Sequence, residues 1–193
     1  MIKKFINSSI IAVALFVPTS FSMAKTTSYT IDPYHTNVTW KVSHFGFSNP
    51  SGKFTTSKGT LKLDMENPQK SSVDIEIDAT SLSTGNKTFD EHLSAESFFN
   101  LKTHKSISFK STKIELTGKD TAKIHGQLTF LGVKKPVVLD AKLNGIGRND
   151  YIKKDVAGFS ATTSFKRSDF GMNAYIPSVA DQVFIDIEVE FNK

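Results

Sequence analysis

From residue 28 onward, apolar and polar residues alternate with a period of two, the pattern of strands that bury one face. In residues 36–45, Val38, Trp40 and Val42 alternate with Asn37, Thr39, Lys41 and Ser43. Val73, Ile75 and Ile77 do the same against Ser72, Asp74, Glu76 and Asp78. The theme continues at Ile107 and Phe109, at Ile124, Leu128 and Phe130, and along Val137, Leu139, Ala141 and Leu143. Phe159, Ala161, Thr163 and Phe165 form another stripe, and Val183, Ile185, Ile187, Val189 and Phe191 form the last. With residues 28–32 and the stretch around Leu61 and Leu63, the pattern predicts eight or nine strands.

Turn-forming residues separate these stripes at Asn49-Pro50-Ser51-Gly52, Glu66-Asn67-Pro68, Thr117-Gly118-Lys119-Asp120, Leu131-Gly132 and Asn144-Gly145. Residues 88–99 break the alternation: Phe89, Leu93 and Phe98-Phe99 follow helical spacing, and Ser94 offers a cap for a turn over 95–99. The expectation is an all-β domain with one short helical excursion. Short connections between many sequential strands argue for an antiparallel barrel or a sandwich, and the alternation alone does not choose between them.

The first 24 residues read differently. Lys3 and Lys4 precede the apolar run 10–17, Ser22-Met23-Ala24 supplies small residues for cleavage, and no acid occurs before Asp32. That is the layout of a cleavable export signal at 1–24, ahead of one domain at 25–193. The run is too short to span a bilayer, which takes about 20 apolar residues. Removing it leaves 169 residues with a formal net charge of +3 instead of +5, too mild a balance to imply nucleic acid. The lysines sit beside acids, as in Lys119-Asp120 and Lys153-Lys154-Asp155, and read as solvated faces. The chain has no cysteine, which excludes disulfides, thiol catalysis and cysteine metal sites. Of its sixteen phenylalanines, thirteen lie beyond residue 24. That much ring volume must fill a core or line a cavity.

Several phrases then stand out in series: Ile31-Asp32-Pro33-Tyr34-His35; Val42-Ser43-His44-Phe45-Gly46-Phe47 followed by Gly52-Lys53-Phe54; and Phe89-Asp90-Glu91-His92-Leu93-Ser94 running into Ser97-Phe98-Phe99-Asn100. Residues 126–137 (GQLTFLGVKKPV) and 166–172 (KRSDFGM) complete the set. In this order and spacing the chain, from about Tyr29 to Phe191, resembles the YceI-like family of exported lipid-binding proteins, also called polyisoprenoid-binding. The resemblance implies a lipocalin-like extended antiparallel barrel of about eight strands whose tunnel holds a polyprenyl or other long-chain amphiphile. It also implies a non-catalytic periplasmic role in isoprenoid or quinone handling, lipid transport or storage, or envelope stress. Members of that family take chemically different ligands, so the resemblance does not fix this one.

The residues themselves agree with a tunnel in one respect. His44 shares parity with Val38, Trp40 and Val42, and Arg167 with Phe159, Ala161, Thr163 and Phe165, so each ends an apolar stripe. A greasy wall with a few polar groups at its ends suits an amphiphile: Arg pairs with a phosphate or carboxylate head, and His donates or accepts. Candidate ligand contacts are therefore Trp40, His44, Phe109, Phe130, Phe159, Phe165 and Arg167. Arg167 equally suits a structural pair with Asp169, and His44 a strand end bonded to backbone.

Asp90, His92, Glu91 and His35 raise the possibility of a metal or acid–base pair, but their spacing fits no H-E-x-x-H or zinc-finger pattern, and no metal is expected. Asp90 and His92 are better suited to holding the helical excursion against the barrel rim. No nucleophile elbow or phosphate-binding glycine loop is present. The alternative to a carrier is a lipid-modifying hydrolase or isomerase using His44, His92 or Asp90 as base. No cofactor beyond a bound lipid is expected; contact with a membrane surface, through a turn such as that at Lys134-Lys135, would be transient at most, and a homodimer is left open.

Overall fold

A computed structural model describes residues 26–193 of the chain; the expected export signal at 1–24 lies outside the described residues. The strands are β1 (Thr27–Ile31), β2 (Asn37–His44), β3 (Ser51–Phe54), β4 (Ser57–Leu63), β5 (Ser72–Asp78), β6 (Leu82–Ser83), β7 (Ser106–Leu116), β8 (Thr121–Phe130), β9 (Val133–Asn149), β10 (Lys154–Lys166) and β11 (Val179–Asn192), with the helix α1 (Lys87–Leu93) between β6 and β7. These eleven segments make eight staves, because three staves are interrupted. β1 and β2 run in line along β11, with Ile31 opposite Phe191, Val38 opposite Ile187 and Val42 opposite Val183. In the same way β3 and β4 line up along β2 and β1, and β6 and β5 along β3 and β4. Every pairing is antiparallel between sequential staves, and β11 returns to β1 and β2, closing the barrel. Closure removes the exposed edge that an open sheet of this length would present. The choice between barrel and sandwich is thereby made.

The interruptions have local causes. After β1, Pro33 has no N–H to give to a ladder, and Asp32 turns the chain by accepting from the Tyr34 amide at 2.8 Å. Between β3 and β4, the Ser81 hydroxyl takes the amides of Thr55 and Thr56 at 3.1 and 3.0 Å. Between β5 and β6, the Asp78 carboxylate caps the turn at Ala79–Ser81 through the Thr80 amide. At the β8–β9 hairpin, Leu131 (φ 50°) and Gly132 (φ 74°) make the left-handed two-residue turn that strand twist favours. The expected turn at Asn144-Gly145 is absent. Both residues lie inside β9, which runs on to Asn149, and Gly145 sits at a register shift where the β9–β10 ladder bulges at Gly158/Phe159. A glycine inside a strand marks a bulge as readily as a turn.

The helical excursion is present, but its helix precedes the 95–99 turn that Ser94 was expected to cap. Asn86 is its N-cap, accepting from the Phe89 amide; Ser94 closes the other end, its hydroxyl donating back to the Glu91 carbonyl at 2.7 Å and not capping residues 95–99. Asp90 fixes α1 to the barrel by accepting from both the amide and the hydroxyl of Thr84, each at 2.7 Å. Leu93 and Phe98 are buried at this end of the barrel, and Phe99 packs between Trp40, Phe54 and Phe130 at ring distances of 5.7–6.0 Å. At the opposite end a second cluster of Tyr29, Leu61, Leu63, Ala157 and Phe191 fills the barrel. Outward-facing charges pair across strands, as Lys123 with Asp140 at 2.6 Å and Lys58 with Glu76 at 3.1 Å, the solvated arrangement the composition implied.

Candidate functional site

Each stripe of alternating apolar residues faces inward, and between the two packed ends they do not meet. They enclose a cavity of about 400 Å³ that runs along the barrel and is lined almost wholly by carbon, within the range of about 300–1,000 Å³ usual for small-molecule sites. Val38, Val42, Phe159, Phe165 and Ile185 point into the barrel yet are only partly buried, because part of their surface faces this bore. A solid-cored sandwich would bury them fully.

Two glycines keep the bore open. Trp40 lies opposite Gly52 on β3, and a Cβ at Gly52 would collide with the indole ring. A Cβ at Gly126 would likewise meet the Phe109 ring. Both rings therefore lie flat against the wall where a side chain is missing, instead of projecting across the void. Gly52 stands opposite Trp40 and Gly126 diagonal to Phe109, relations legible in the sequence only once the register is known.

All seven predicted contact residues line the bore: Trp40, His44, Phe109, Phe130, Phe159, Phe165 and Arg167. The stripe parity therefore located the wall, though lining it is not the same as holding a ligand. His44 stands exposed at the rim, its amide donating to the Ser48 carbonyl and its ring edge-on to Phe45 at 4.7 Å. Arg167 is only 3% exposed, and its donors go to backbone: Nε to the Ala180 carbonyl at 2.9 Å, Nη1 to Met172 at 3.1 Å, and Nη2 to Ala174 and Val179 at 2.7 and 2.9 Å. Four of the five guanidinium N–H groups thus tie the loop between β10 and β11 to the start of β11. Asp169 is exposed and is not its partner. The carboxylate nearby is Asp181, which accepts from the amide and hydroxyl of Ser168 at 2.9 and 2.7 Å. Burial pulls the Arg167 pKa below its ordinary value, and the Asp181 charge partly offsets this. Burial alone would raise the Asp181 carboxyl, but the hydrogen bonds from Ser168 together with the Lys166 and Arg167 charges hold it below its ordinary value.

The sequence reading missed part of the wall. Phe89, Leu93, Phe98 and Phe99 from the α1 segment, and Met172 and Tyr175 from the β10–β11 loop, complete it. The Phe98-Phe99 pair and the 166–172 phrase were visible signals, and the α1 segment was expected at the barrel rim, but nothing local says that these side chains turn into the bore. His92 lies between the rings of Phe89 and Phe98 at 6.5 and 4.9 Å. Of the lining residues, only His44, Phe45, His92 and Tyr175 are exposed, and all four stand at the α1 end, so the mouth is there.

One grouping of metal-ligating types occurs among the described residues: Asp32, His35 and Glu190, with ligand atoms within 4.8 Å of one another. It is outside the bore, since Glu190 alternates with the inward Val189 and Phe191. Asp32 Oδ2 already accepts from His35 Nδ1 at 3.0 Å and from Asn192 Nδ2 at 3.1 Å. Burial alone would raise the Asp32 carboxyl, but the hydrogen bonds from His35, the Tyr34 amide and Asn192 together hold it below its ordinary value. The hydrogen bond to Asp32, and then the charges of Asp32 and Glu190, raise the His35 pKa. The cluster locks the break between β1 and β2.

The chain matches known proteins over nearly its whole length. The family model described as the YceI-like domain matches residues 29–191. A UPF0312 protein of Pseudomonas putida is 33% identical over 193 residues, covering 98% of this chain and 97% of the relative. The solved structure of a Campylobacter jejuni YceI protein is 31% identical with a TM-score of 0.68, covering 78% of this chain and 89% of that one. A polyisoprenoid-binding domain from Saccharophagus degradans, implicated in plant cell wall breakdown, shares the fold at 15% identity with a TM-score of 0.63, covering 85% and 97%.

Proposed function

The chain belongs to the YceI-like domain family, and on that premise we propose that it is a non-catalytic carrier that sequesters a long-chain amphiphile in the bore of its barrel. A polyisoprenoid, an isoprenoid quinone or a fatty-acid derivative has the required shape, and the periplasm, where such a chain cannot travel unaided, is the compartment in which the carrier acts. The observation that carries this reading is the bore itself, about 400 Å³, carbon-lined and open at one end. Burying apolar surface is worth about 25 cal/mol per Å², so a chain in this bore binds with few polar contacts. Selectivity for chain length then exceeds selectivity for the head group. The polyisoprenoid-binding domain of Saccharophagus degradans, which shares this fold, supports the ligand class.

The polar groups support carriage over catalysis. Arg167 and Asp90, the buried cation and the candidate base, are committed to backbone carbonyls and to Thr84. His44 and His92 stand at the mouth, where a polar head emerging from the bore meets them. Native mass spectrometry of the protein purified from the envelope of its host tests the proposal. The expected spectrum contains a species heavier than the bare chain by the mass of one lipid, lost on delipidation and regained with a polyprenol, a quinone or a fatty amide. A bare chain that regains none of the three overturns it.

A further inference from the structure

The rim of the mouth is itself apolar. Phe47 is 91% exposed, Tyr175 60%, Phe45 50% and Ile176 37%. They belong to two loops held together, since the Phe45 amide donates to the Ser178 carbonyl and Val179 pairs with His44. Phe45 and Tyr175 also line the bore, so the exposed apolar surface continues into the cavity through these two residues, beside His44 and His92.

The backbone gives an independent sign. Phe45 and Tyr175 have φ of 52° and 61°, a left-handed conformation that costs a bulky residue about 1–2 kcal/mol and that Gly or Asn adopts more readily. Leu131 has the same conformation (φ 50°), but its side chain packs against the core, which offsets the strain. At the rim Tyr175 stacks on the buried Phe98 at 6.1 Å and Phe45 meets His44 edge-on at 4.7 Å, yet each keeps half or more of its surface exposed. Strain retained on exposed aromatic residues points to a function for their exposure.

We propose that this rim docks on the surface of a phospholipid bilayer, so that the long chain passes between membrane and bore without crossing water. The inference rests on the carrier reading, because a long-chain amphiphile resides in a bilayer before and after carriage. Area favours a membrane over a second copy of this chain. With about 200 Å² for a fully exposed ring, the patch is roughly 400–500 Å², about half of the ~800 Å² per partner that a stable protein interface takes. Aromatic side chains partition into the headgroup region of bilayers, which asks for no matching partner surface. The opposite end of the barrel also exposes apolar residues, with Tyr151 at 95% and Met65 at 57%. That end is filled by the Tyr29–Phe191 cluster, and no exposed residue there lines the bore. It serves as the internal control.

Phe47 and Ile176 line no part of the bore, so Phe47→Ser with Ile176→Ser removes rim surface and leaves the cavity wall intact. Three readouts separate the roles: co-flotation with phosphatidylcholine vesicles, the rate at which cis-parinaric acid is loaded from those vesicles, and its loading from dilute ethanol solution. The expected result is a loss of about tenfold or more in vesicle binding and vesicle loading, with loading from solution unchanged and Tyr151→Ser behaving as wild type. Vesicle binding equal to wild type in the double variant overturns the proposal. So does a wild-type dimer that the double variant converts to monomer while flotation stays the same. Flotation needs no ligand, so docking is judged even where wild-type protein fails to load from solution, an outcome that counts against the carrier reading instead.

Discussion

Replacing Arg167 with Met keeps most of the side-chain volume and removes every donor. Four carbonyls, those of Met172, Ala174, Val179 and Ala180, lose their partner at once. A buried acceptor left unpaired costs about 1–3 kcal/mol, but three of these four bonds are only part-buried, so water repairs some of the loss. The desolvated guanidinium also disappears, which returns part of the cost. The net expectation is a destabilisation of about 3 kcal/mol, which for a chain of this size lowers the unfolding temperature by roughly 6–12 °C. Circular dichroism melts of delipidated protein measure it without interference from ligand. Lys at this position keeps the charge but has no planar fork to reach carbonyls on both sides of the loop, so Arg167→Lys is expected to fall between wild type and Met. A Met variant that melts within about 2 °C of wild type yet no longer retains lipid would refute the reasoning: Arg167 would then be holding a head group and not the loop.

The wall and the outer cluster give further expectations. Gly126→Ala pushes the Phe109 ring off the wall into the bore, at a cost of about 1–3 kcal/mol; lipid occupancy in native mass spectra falls with it, and unchanged occupancy would contradict the role given to the flat ring. Ala161 faces the bore beside Ala141, so Ala161→Phe occupies ligand space and should lower occupancy without lowering the melting temperature of the empty protein. For Asp32 and His35 the sign follows from the two shifts. The lowered Asp32 pKa gives stability above its ordinary 3.8 that is lost as pH falls through the lower folded value. The raised His35 pKa gives stability that is full below 6.5 and is lost as pH rises through the higher folded value. The melting difference between wild type and Asp32→Asn should therefore peak between these two pH values, and a difference independent of pH would show that the pair is not coupled to folding.

Much of the barrel was legible because alternation is a local property. Once Val38, Trp40 and Val42 face inward, a regular strand carries His44 to the same face, and the same parity carried Arg167 inward from Phe159. What parity does not encode is the partner. Arg167 finds carbonyls 5 to 13 residues further on, in the following loop and the start of β11, where the sequence offered only neighbouring Asp169. Closure was unreadable from alternation for the same reason, since it depends on β11 meeting β1 and β2 across more than 130 residues; only the family resemblance implied the barrel. Asn144-Gly145 misled because dihedral freedom serves a bulge and a turn alike. The hollow interior had a compositional hint in its phenylalanines, but whether rings fill or line a barrel is set by what the neighbouring strand places beneath them. Gly52 under Trp40 and Gly126 under Phe109 become informative only when register is known.

The most direct measurement is a crystal structure of the protein purified from its host envelope without delipidation. The expected density is a continuous, unbranched chain lying along the bore past Phe159, Trp40 and Phe130, with its polar end between His44 and Tyr175. A bore closed by side chains, with Trp40 and Phe109 swung off Gly52 and Gly126 to meet across it, would contradict the carrier.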